Sequence, residues 1–351
     1  MSAHTALYAP PAMYAWDFWL LEHGGQWHLF HLQAPRDEHP ESRHQLASVG
    51  HAVSSDLENW EPRPTAFEAG PEGAWDDQCI WTGSMFEWQG RFWLLYTARK
   101  RGGFLLQKIG LAVSDDLEHW ERHRDNPVMT ADPRWYQTRP DAGPLKIEDW
   151  RDPYLCLVDG RPTALITART AIPPGTWKLR VIGAHLKEFA RMSTPLRLGY
   201  PSGKLAGRGC LAFAQSDDML RWQVKAPLFS PGRYDCLECP QYFVHEGRHY
   251  LTFSTLKEWY QRDWAREIGG GQTGMHAYHA ASMEGPWEPC NGDGVVLGTE
   301  SQCYATRMVE RAGQWQALSW RFKAEGHAGF CGMIDTPRPV NIDGATLSVA
   351  E

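Results

Sequence analysis

The chain has 351 residues, of which 42% are hydrophobic and 22% charged, and its formal net charge is −7 at pH 7. This composition is typical of a folded protein with a large core. The acidic balance argues against nucleic acid or an anionic membrane as the main partner, because both are held by clustered Lys and Arg. The 18 Trp residues exceed what a core needs, and aromatic rings suit the apolar faces of sugars.

The N-terminal residues show no basic segment followed by an apolar run, so no secretory signal is predicted. No segment approaches the roughly 20 apolar residues that span a bilayer. The eight cysteines form no small-domain disulfide framework, so reduced thiols and a cytoplasmic location are expected. Cys236 and Cys239 form a Cys-x-x-Cys pair, but no second pair follows to complete a zinc site. The sequence therefore predicts no metal and no cofactor.

A short motif in which Trp follows Ser by six positions recurs along the chain. Its copies are Ser54–Trp60, Ser114–Trp120 and Ser216–Trp222, with a shorter fourth copy at Ser282–Trp287. Each follows a short apolar strand and precedes a turn that contains Pro. The Asp residues in these motifs are expected to accept backbone hydrogen bonds in turns, with the Trp packed beneath. They are not predicted to be catalytic.

A second pattern, a Gly-containing turn followed by a strand of aromatic and β-branched residues, occurs five times. Repeated units of about four strands, with hardly any long amphipathic helix between them, are typical of blades arranged around a central channel. The prediction is an all-β fold, a single five-bladed β-propeller over residues 1–351. The predicted blades cover 15–70, 76–140, 150–230, 236–297 and 300–351.

Three segments lie outside the blade pattern. Residues 1–14 are expected to supply a strand that closes the ring. Residues 171–209, with helical character at 185–191, and residues 258–274, with three consecutive glycines, are predicted to be loops at the rim of a cleft. The glycines lack the Lys and the strand-to-helix context of a phosphate loop.

Acidic residues stand just before the innermost strand of three predicted blades: Asp17, Asp152 and Glu238. Equivalent positions of a propeller point toward the same end of the channel, so these carboxylates are expected to share one pocket. Glycoside hydrolysis needs one carboxylate at the anomeric carbon and a second carboxyl to protonate the leaving oxygen. A third acid can orient sugar hydroxyls. Arg151 is expected to keep Asp152 ionised, and apolar Leu237 to favour Glu238 as general acid.

Four motifs, taken in order, resemble those of the fructosidase and levansucrase clan, glycoside hydrolase families 32 and 68. They are Trp16-Asp17-Phe18-Trp19, Trp81-Thr82-Gly83-Ser84, Trp150-Arg151-Asp152-Pro153 and Glu238-Cys239-Pro240. The resemblance implies a five-bladed propeller and a retaining mechanism on β-linked fructofuranosides. By the same likeness, Asp17 would be the nucleophile, Asp152 the stabiliser and Glu238 the acid/base. The residues expected to bind the sugar are Trp16, Trp19, Gln33, Trp81, Ser84 and Arg151.

The chain also departs from these families. Trp16-Asp17-Phe18 stands where family 32 usually has Asn-Asp-Pro, and the fifth predicted blade uses the sequence to residue 351, which leaves nothing to build that family's C-terminal β-sandwich. A divergent member without the sandwich is therefore expected, whose substrate need not be sucrose or a fructan. The alternatives are a fructosyltransferase of the same clan, a propeller hydrolase of the arabinosidase or xylosidase type, and a non-catalytic glycan-binding propeller. Substrate linkage and oligomeric state stay open.

Overall fold

The Gly-containing turns of the sequence join antiparallel strands, and four or five successive strands form each of five sheets. The computed structural model describes residues 7–36, 39–102, 106–138, 148–171, 207–325, 327 and 329–350. The first sheet contains β1 (Met13–His23), β2 (Gln26–Pro35), β3 (Ser48–Ser54) and β4 (Glu61–Phe67). The second contains β5 (Cys79–Trp88), β6 (Arg91–Arg99), β7 (Gln107–Ser114) and β8 (Glu121–Arg122).

The remaining three sheets follow the same order along the chain. The third contains β9 (Trp150–Val158), β10 (Arg161–Arg169), β11 (Gly209–Ser216) and β12 (Trp222–Phe229). The fourth contains β13 (Glu238–His245), β14 (Arg248–Thr255), β15 (Gly274–Ala280), β16 (Glu288–Pro289) and β17 (Val295–Leu297). The fifth contains β18 (Cys303–Arg311), β19 (Gln314–Arg321), β20 (Met333–Ile334), β21 (Arg338–Asp343) and β22 (Thr346–Val349).

The first strands of the sheets contact one another in a closed cycle: β1 meets β5, β5 meets β9, β9 meets β13, β13 meets β18, and β18 meets β1. These strands therefore line a central channel, and the sheets radiate from it as blades. The predicted five-bladed, all-β propeller is confirmed. Apolar clusters fill the spaces between neighbouring blades, so the core is distributed around the ring.

The positions of two prolines and of the repeated turn aspartates are explained by the outer strands and the turns between them. Pro62 and Pro64 both lie on β4, the edge strand of the first blade. Proline cannot donate to a sheet ladder, so it is tolerated at an edge, where it also discourages pairing with another chain. At the turns, Asp56, Asp116 and Asp218 each accept hydrogen bonds from the backbone N–H groups two and three residues later, which confirms their predicted structural role.

The ring closes between the first and last blades. Tyr8 and Ile334 exchange backbone hydrogen bonds, each 2.8 Å long. Arg36 donates from Nε to the carbonyl of Met13 at 2.6 Å and from Nη2 to that of Gly332 at 3.0 Å. Ahead of β1, the described part of the predicted closing segment pairs with the last blade through an isolated bridge at Tyr8. Residues 1–6 lie outside the described residues.

Among the described residues, two short α-helices accompany the strands: α1 (Arg43–Leu46) and α2 (Arg262–Glu267). The second lies within the predicted loop 258–274, where the Gln261 side chain caps it by accepting from two backbone N–H groups. Most of the predicted loop 171–209, including the helical stretch at 185–191, lies outside the described residues. Within the described ranges, no helix has the length and apolar character needed to cross a bilayer.

Candidate active site

The innermost strand of every blade is interrupted by a β-bulge at the same level of the channel. The pairing register shifts at Asp17, Thr82, Asp152, Cys239 and Ala305 on β1, β5, β9, β13 and β18. Four of these residues have a positive φ, between 23° for Asp17 and 52° for Asp152. A bulge re-aims the side chains beside it, so each blade can direct neighbouring side chains into the channel.

The residues that precede the bulges face one pocket of about 700 Å³. They are Trp16, Trp81, Arg151, Glu238 and Tyr304, one from each blade. The bulged residues Asp17, Thr82 and Asp152 line the same pocket. Its volume lies within the range of roughly 300–1,000 Å³ typical of ligand sites. The structure thus brings the three predicted catalytic acids together at one end of the channel.

Asp17 is held by two donors from neighbouring blades. Its Oδ1 accepts from the Trp320 indole N–H at 2.8 Å, and its Oδ2 accepts from the Thr82 hydroxyl at 3.0 Å. Burial raises the pKa of Asp17 and the charge of Glu238 raises it further, while the two donors and the Arg307 charge oppose this shift. The donors favour the ionised carboxylate that a nucleophile must present.

Glu238 also accepts hydrogen bonds from two side chains. Its Oε1 accepts from Nη2 of Arg151 at 2.7 Å, and its Oε2 accepts from the Tyr304 hydroxyl at 2.5 Å. The surroundings of Glu238 are therefore more polar than the apolar neighbour Leu237 indicated. The Leu237 side chain is buried in the core, whereas Glu238 lines the pocket.

Asp152 is buried beside these groups. Its Oδ2 accepts from the Cys239 N–H at 3.2 Å and from the Thr167 hydroxyl at 3.3 Å, and Nε of Arg151 lies 3.6 Å from it. Burial raises the pKa of Asp152 to about 7; Arg151 opposes this shift, and the charges of Glu238 and Asp17 add to it. Arg151 thus favours the ionised form of Asp152, as expected, but burial and two nearby carboxylates outweigh this one guanidinium.

The Arg151 guanidinium donates hydrogen bonds to several protein groups. Besides Glu238, it donates to Asp149 through Nη1, to Gln107 Oε1 at 3.3 Å and to the Cys236 sulfur at 2.9 Å. It borders the pocket as predicted, but its main visible role is to connect acids to one another. Cys236 and Cys239 are buried free thiols, and the described part of the chain holds no group of three His, Cys, Asp or Glu suited to a metal ion.

Three predicted sugar-binding residues lie away from the pocket lining. Trp19 packs in the core and stacks on Phe30 with ring centroids 6.3 Å apart. Gln33 is buried and donates to the Thr65 hydroxyl at 3.0 Å. Ser84 accepts from the backbone N–H of Leu155 at 3.0 Å and so ties the second blade to the third. Strand side chains alternate between faces, and a bulge changes that alternation, so linear motifs did not reveal these orientations.

Sequence reasoning missed several pocket residues. Thr82 lies inside a quoted motif, and its position at the bulge of β5 is the signal that could have identified it. Tyr304 and Trp320 belong to the fifth blade, where no acidic motif drew attention. Arg43 and His44 come from α1, which no sequence pattern predicted.

The pocket has chemically different sides. Tyr304, Trp320 and Phe322 form an aromatic side, with the Phe322 ring 5.3 Å from that of Tyr304 and 4.5 Å from that of Trp320. On another side the Arg99 guanidinium lies 4.8 Å from the Trp81 ring centroid. The acids lie between these groups. Carboxylates that accept hydroxyl hydrogen bonds, beside flat apolar rings, suit a polyhydroxylated ring with apolar faces.

Part of the chain is similar to a known family of enzymes. Residues 19–173 match the model of the glycosyl hydrolases family 32 N-terminal domain. That range contains Asp152 but begins just after Asp17 and ends before Glu238. The insoluble isoenzyme 5 of beta-fructofuranosidase from Oryza sativa subsp. japonica is 28% identical over 230 residues, which cover 64% of this chain and 33% of that protein. Levansucrase from Erwinia amylovora is 25% identical over 217 residues, which cover 59% and 48% of the two chains.

Solved structures share the whole fold. The inulosucrase from Halalkalicoccus jeotgali bound to kestose superposes with a TM-score of 0.74 at 22% identity, covering 99% of this chain and 92% of that one. Bacillus subtilis levansucrase gives a TM-score of 0.72 at 18% identity, covering 97% and 87%. The chain spans half or less of the length of the two curated relatives. Together these matches confirm the resemblance to families 32 and 68 predicted from the motifs.

Proposed function

We propose that this chain, a divergent relative of glycoside hydrolase families 32 and 68, is a retaining enzyme that cleaves β-linked fructofuranosides. The observation that carries the proposal is the convergence of Asp17, Asp152 and Glu238 in one pocket at the channel end. A non-catalytic glycan-binding propeller has no need to gather three carboxylates in one pocket, because bringing like charges together costs stability. A catalytic centre needs them.

Asp17 is the proposed nucleophile. Trp320 and Thr82 hold its two oxygens, which limits the directions its carboxylate can take. One oxygen attacks the anomeric carbon as the bond from that carbon to the leaving oxygen breaks, and a covalent fructosyl ester forms. The developing positive charge on the sugar is stabilised by the neighbouring carboxylates.

Glu238 is the proposed acid/base. It gives its proton to the leaving oxygen, then takes a proton from water as that water attacks the ester and releases Asp17. The charge of Glu238 is one cause of the raised pKa of Asp152, so the two carboxyls interact electrostatically. Arg151 and Tyr304 hold the Glu238 carboxyl in place for the proton transfer. Asp152, 3% exposed, then orients sugar hydroxyls.

Hydrolysis is the main proposal, and transfer to a second sugar hydroxyl is the alternative that the levansucrase likeness supports. Both share the fructosyl ester and differ only in the acceptor. A cytoplasmic location is proposed as well, since all eight cysteines are free thiols.

The test is incubation of the purified protein with sucrose, inulin, levan and aryl β-fructofuranosides, with aryl arabinosides and xylosides beside them. We expect free fructose from at least one fructoside. Asp17→Asn and Glu238→Gln should each lower turnover on the order of a hundredfold or more. The control is Asp115→Asn, whose carboxylate is 74% exposed in a turn outside the pocket.

The products decide between the alternatives. Fructose oligomers would indicate transfer, and added methanol should yield methyl β-fructofuranoside if configuration is retained. Turnover of arabinosides or xylosides alone would contradict the proposed substrate class. If the protein bound fructan but turned over no substrate in any assay, the result would favour a non-catalytic glycan-binding propeller.

A further inference from the structure

Asp149 lies behind the pocket, and the proposed mechanism does not use it. It is 2% exposed and stands one residue before β9. One carboxylate oxygen accepts from Nη1 of Arg151, and the other lies 2.8 Å from Nε of Arg169. Arg169 reaches it from the end of β10, the strand paired with β9. A buried carboxylate is thus held between two arginines, one of which extends into the catalytic site.

Arg151 connects Asp149 to the proposed acid/base through a rigid, planar group. Nη1 faces Asp149, Nη2 donates to Glu238 at 2.7 Å, and Nε lies 3.6 Å from Asp152. Because the guanidinium is planar, fixing Nη1 also fixes the directions of Nη2 and Nε. Asp149 therefore orients the donor that contacts Glu238.

The ion pair between Asp149 and Arg151 also affects the electrostatic environment of Glu238. Asp149 balances part of the positive charge of Arg151 at a site with little water, where each charge acts strongly on its neighbours. Other ionisable groups interact with Glu238 or Asp149 from the surrounding elements: Asp17, Asp152, Tyr304, Cys236 and Cys239 around Glu238, and Arg208, Cys210, Asp235 and Cys236 around Asp149. Arg151 contacts both carboxylates directly, Asp149 through Nη1 and Glu238 through Nη2.

We propose that Asp149 is a positioning residue that, through Arg151, sets the pH range in which Glu238 gives and takes its proton. This rests on the proposed function of the pocket. Without the Asp149 carboxylate, the charge of Arg151 acts on Glu238 and Asp152 without compensation and stabilises their ionised forms. The proton needed by the leaving group is then lost at a lower pH.

The direct test is a titration of the Glu238 side-chain carboxyl carbon by NMR on protein labelled with 13C-glutamate, with Glu238→Gln used to identify the resonance. Asp149→Asn should move the titration midpoint down by about one pH unit, the size of shift expected from a nearby charge. Asp149→Glu, which restores the carboxylate, should move it back toward the wild-type value.

A second variant acts in the opposite direction and covers the case in which Asp149→Asn does not fold. Gln107 lies 3.3 Å from the same Nη1 atom of Arg151. Gln107→Glu adds a carboxylate there, so the midpoint should rise. The control is Asp76→Asn, because Asp76 is equally buried and pairs with Arg122 at 2.8 Å but does not line the pocket.

The pH dependence of kcat/KM provides the functional readout. Its basic limb should shift to lower pH in Asp149→Asn and to higher pH in Gln107→Glu. A midpoint that stays fixed in both variants, or that moves equally in Asp76→Asn, would overturn the proposal. If the wild-type protein turns over no substrate, the proposed function fails, while the NMR titration still tests the role of Asp149.

Discussion

Asp17 and Asp152 both adopt backbone conformations that L residues disfavour, with φ values of 23° and 52°. Such conformations cost on the order of 1–3 kcal/mol each and persist only where the surrounding structure imposes them. Here the interrupted ladders of β1 and β9 impose them. The strain, together with the convergence of three carboxylates in one pocket, is concentrated where the proposed chemistry takes place.

The donors to Asp17 give a prediction for pH dependence. Trp320→Phe and Thr82→Val each remove one hydrogen bond that lowers the pKa of Asp17, so that pKa should rise further. Because the nucleophile acts ionised, the acidic limb of kcat/KM should move to higher pH. Activity at neutral pH should fall about 10- to 100-fold, as expected for a hydrogen bond to a charged group. The measurement is kcat/KM against pH.

Trp93→Phe is the matched control for the Trp320 variant. Its indole donates to the carbonyl of Trp88 at 3.0 Å, outside the pocket. An acidic limb that stays in place in both Asp17-donor variants would contradict a role for these bonds in ionising the carboxylate.

Asp152 gives a prediction for stability. Its pKa is raised from 3.8 to about 7 in the folded protein. A group with a raised pKa contributes stability below its unfolded value, and that contribution is lost as the pH rises through 7. Above pH 7 the folded protein therefore bears the cost of holding an ionised Asp152 carboxylate in a buried site. Asp152→Asn removes this cost while keeping the side-chain shape. The variant should be inactive yet more stable than the wild type at pH 8, by up to about 4 kcal/mol at 1.36 kcal/mol per pH unit.

The measurement is urea unfolding of both proteins at pH 8 and pH 4.5. The difference in unfolding free energy between variant and wild type should shrink at the lower pH, where the Asp152 carboxyl is protonated in the folded state. A difference that does not depend on pH would contradict the raised pKa.

At the scale of the strands, the bulges convert a repeated sheet into an asymmetric site. The residues before the five bulges differ in chemistry, with Trp on two blades and Arg, Glu and Tyr on the others. Each blade thus contributes a different side chain from an equivalent place. Sequence motifs located four of these positions, but they assigned the acids to strand starts rather than to interruptions within strands.

Gly83 illustrates how the bulge of β5 is maintained. A Cβ atom at this position would lie 2.6 Å from the carbonyl oxygen of Leu95 on the paired strand. Gly83→Ala should therefore displace the backbone beside Thr82 and lower the unfolding free energy by about 1–3 kcal/mol, as overpacking does. It should also lower kcat, because Thr82 holds Asp17. Urea unfolding and kinetics measure the two effects.

Gly90→Ala is the control at the tip of the following hairpin. Its φ is +73° and nothing lies within 4 Å of an added Cβ, so only backbone strain of about 1 kcal/mol is expected, with normal kcat. A Gly83 variant that keeps normal kcat would contradict the role of this close approach.

At the scale of the whole molecule, the propeller brings together residues far apart in the chain. The Trp320 indole reaches Asp17 across 303 positions of sequence, and Arg307 donates to the carbonyl of Phe18 across 289. These contacts exist because the fifth blade lies beside the first. Closure at Tyr8 and Ile334 therefore helps to keep in place the contacts around Asp17, the proposed nucleophile.

The sequence by itself determined the repeat, the five-bladed fold and the three acids that meet in the pocket. These follow from local signals: turn glycines, strand patterns, and acidic motifs at comparable places in successive units. Because successive blades follow one another around the ring, the order of these signals along the chain is enough to place them in the fold.

Only the tertiary structure decided which neighbours the acids have. It turned Trp19, Gln33 and Ser84 away from the pocket lining, and it supplied Tyr304 and Trp320 from a blade without an acidic motif. The orientation of a side chain beside a bulge, and the charge of groups contributed by other blades, depend on contacts between segments distant in sequence. No local pattern encodes those contacts.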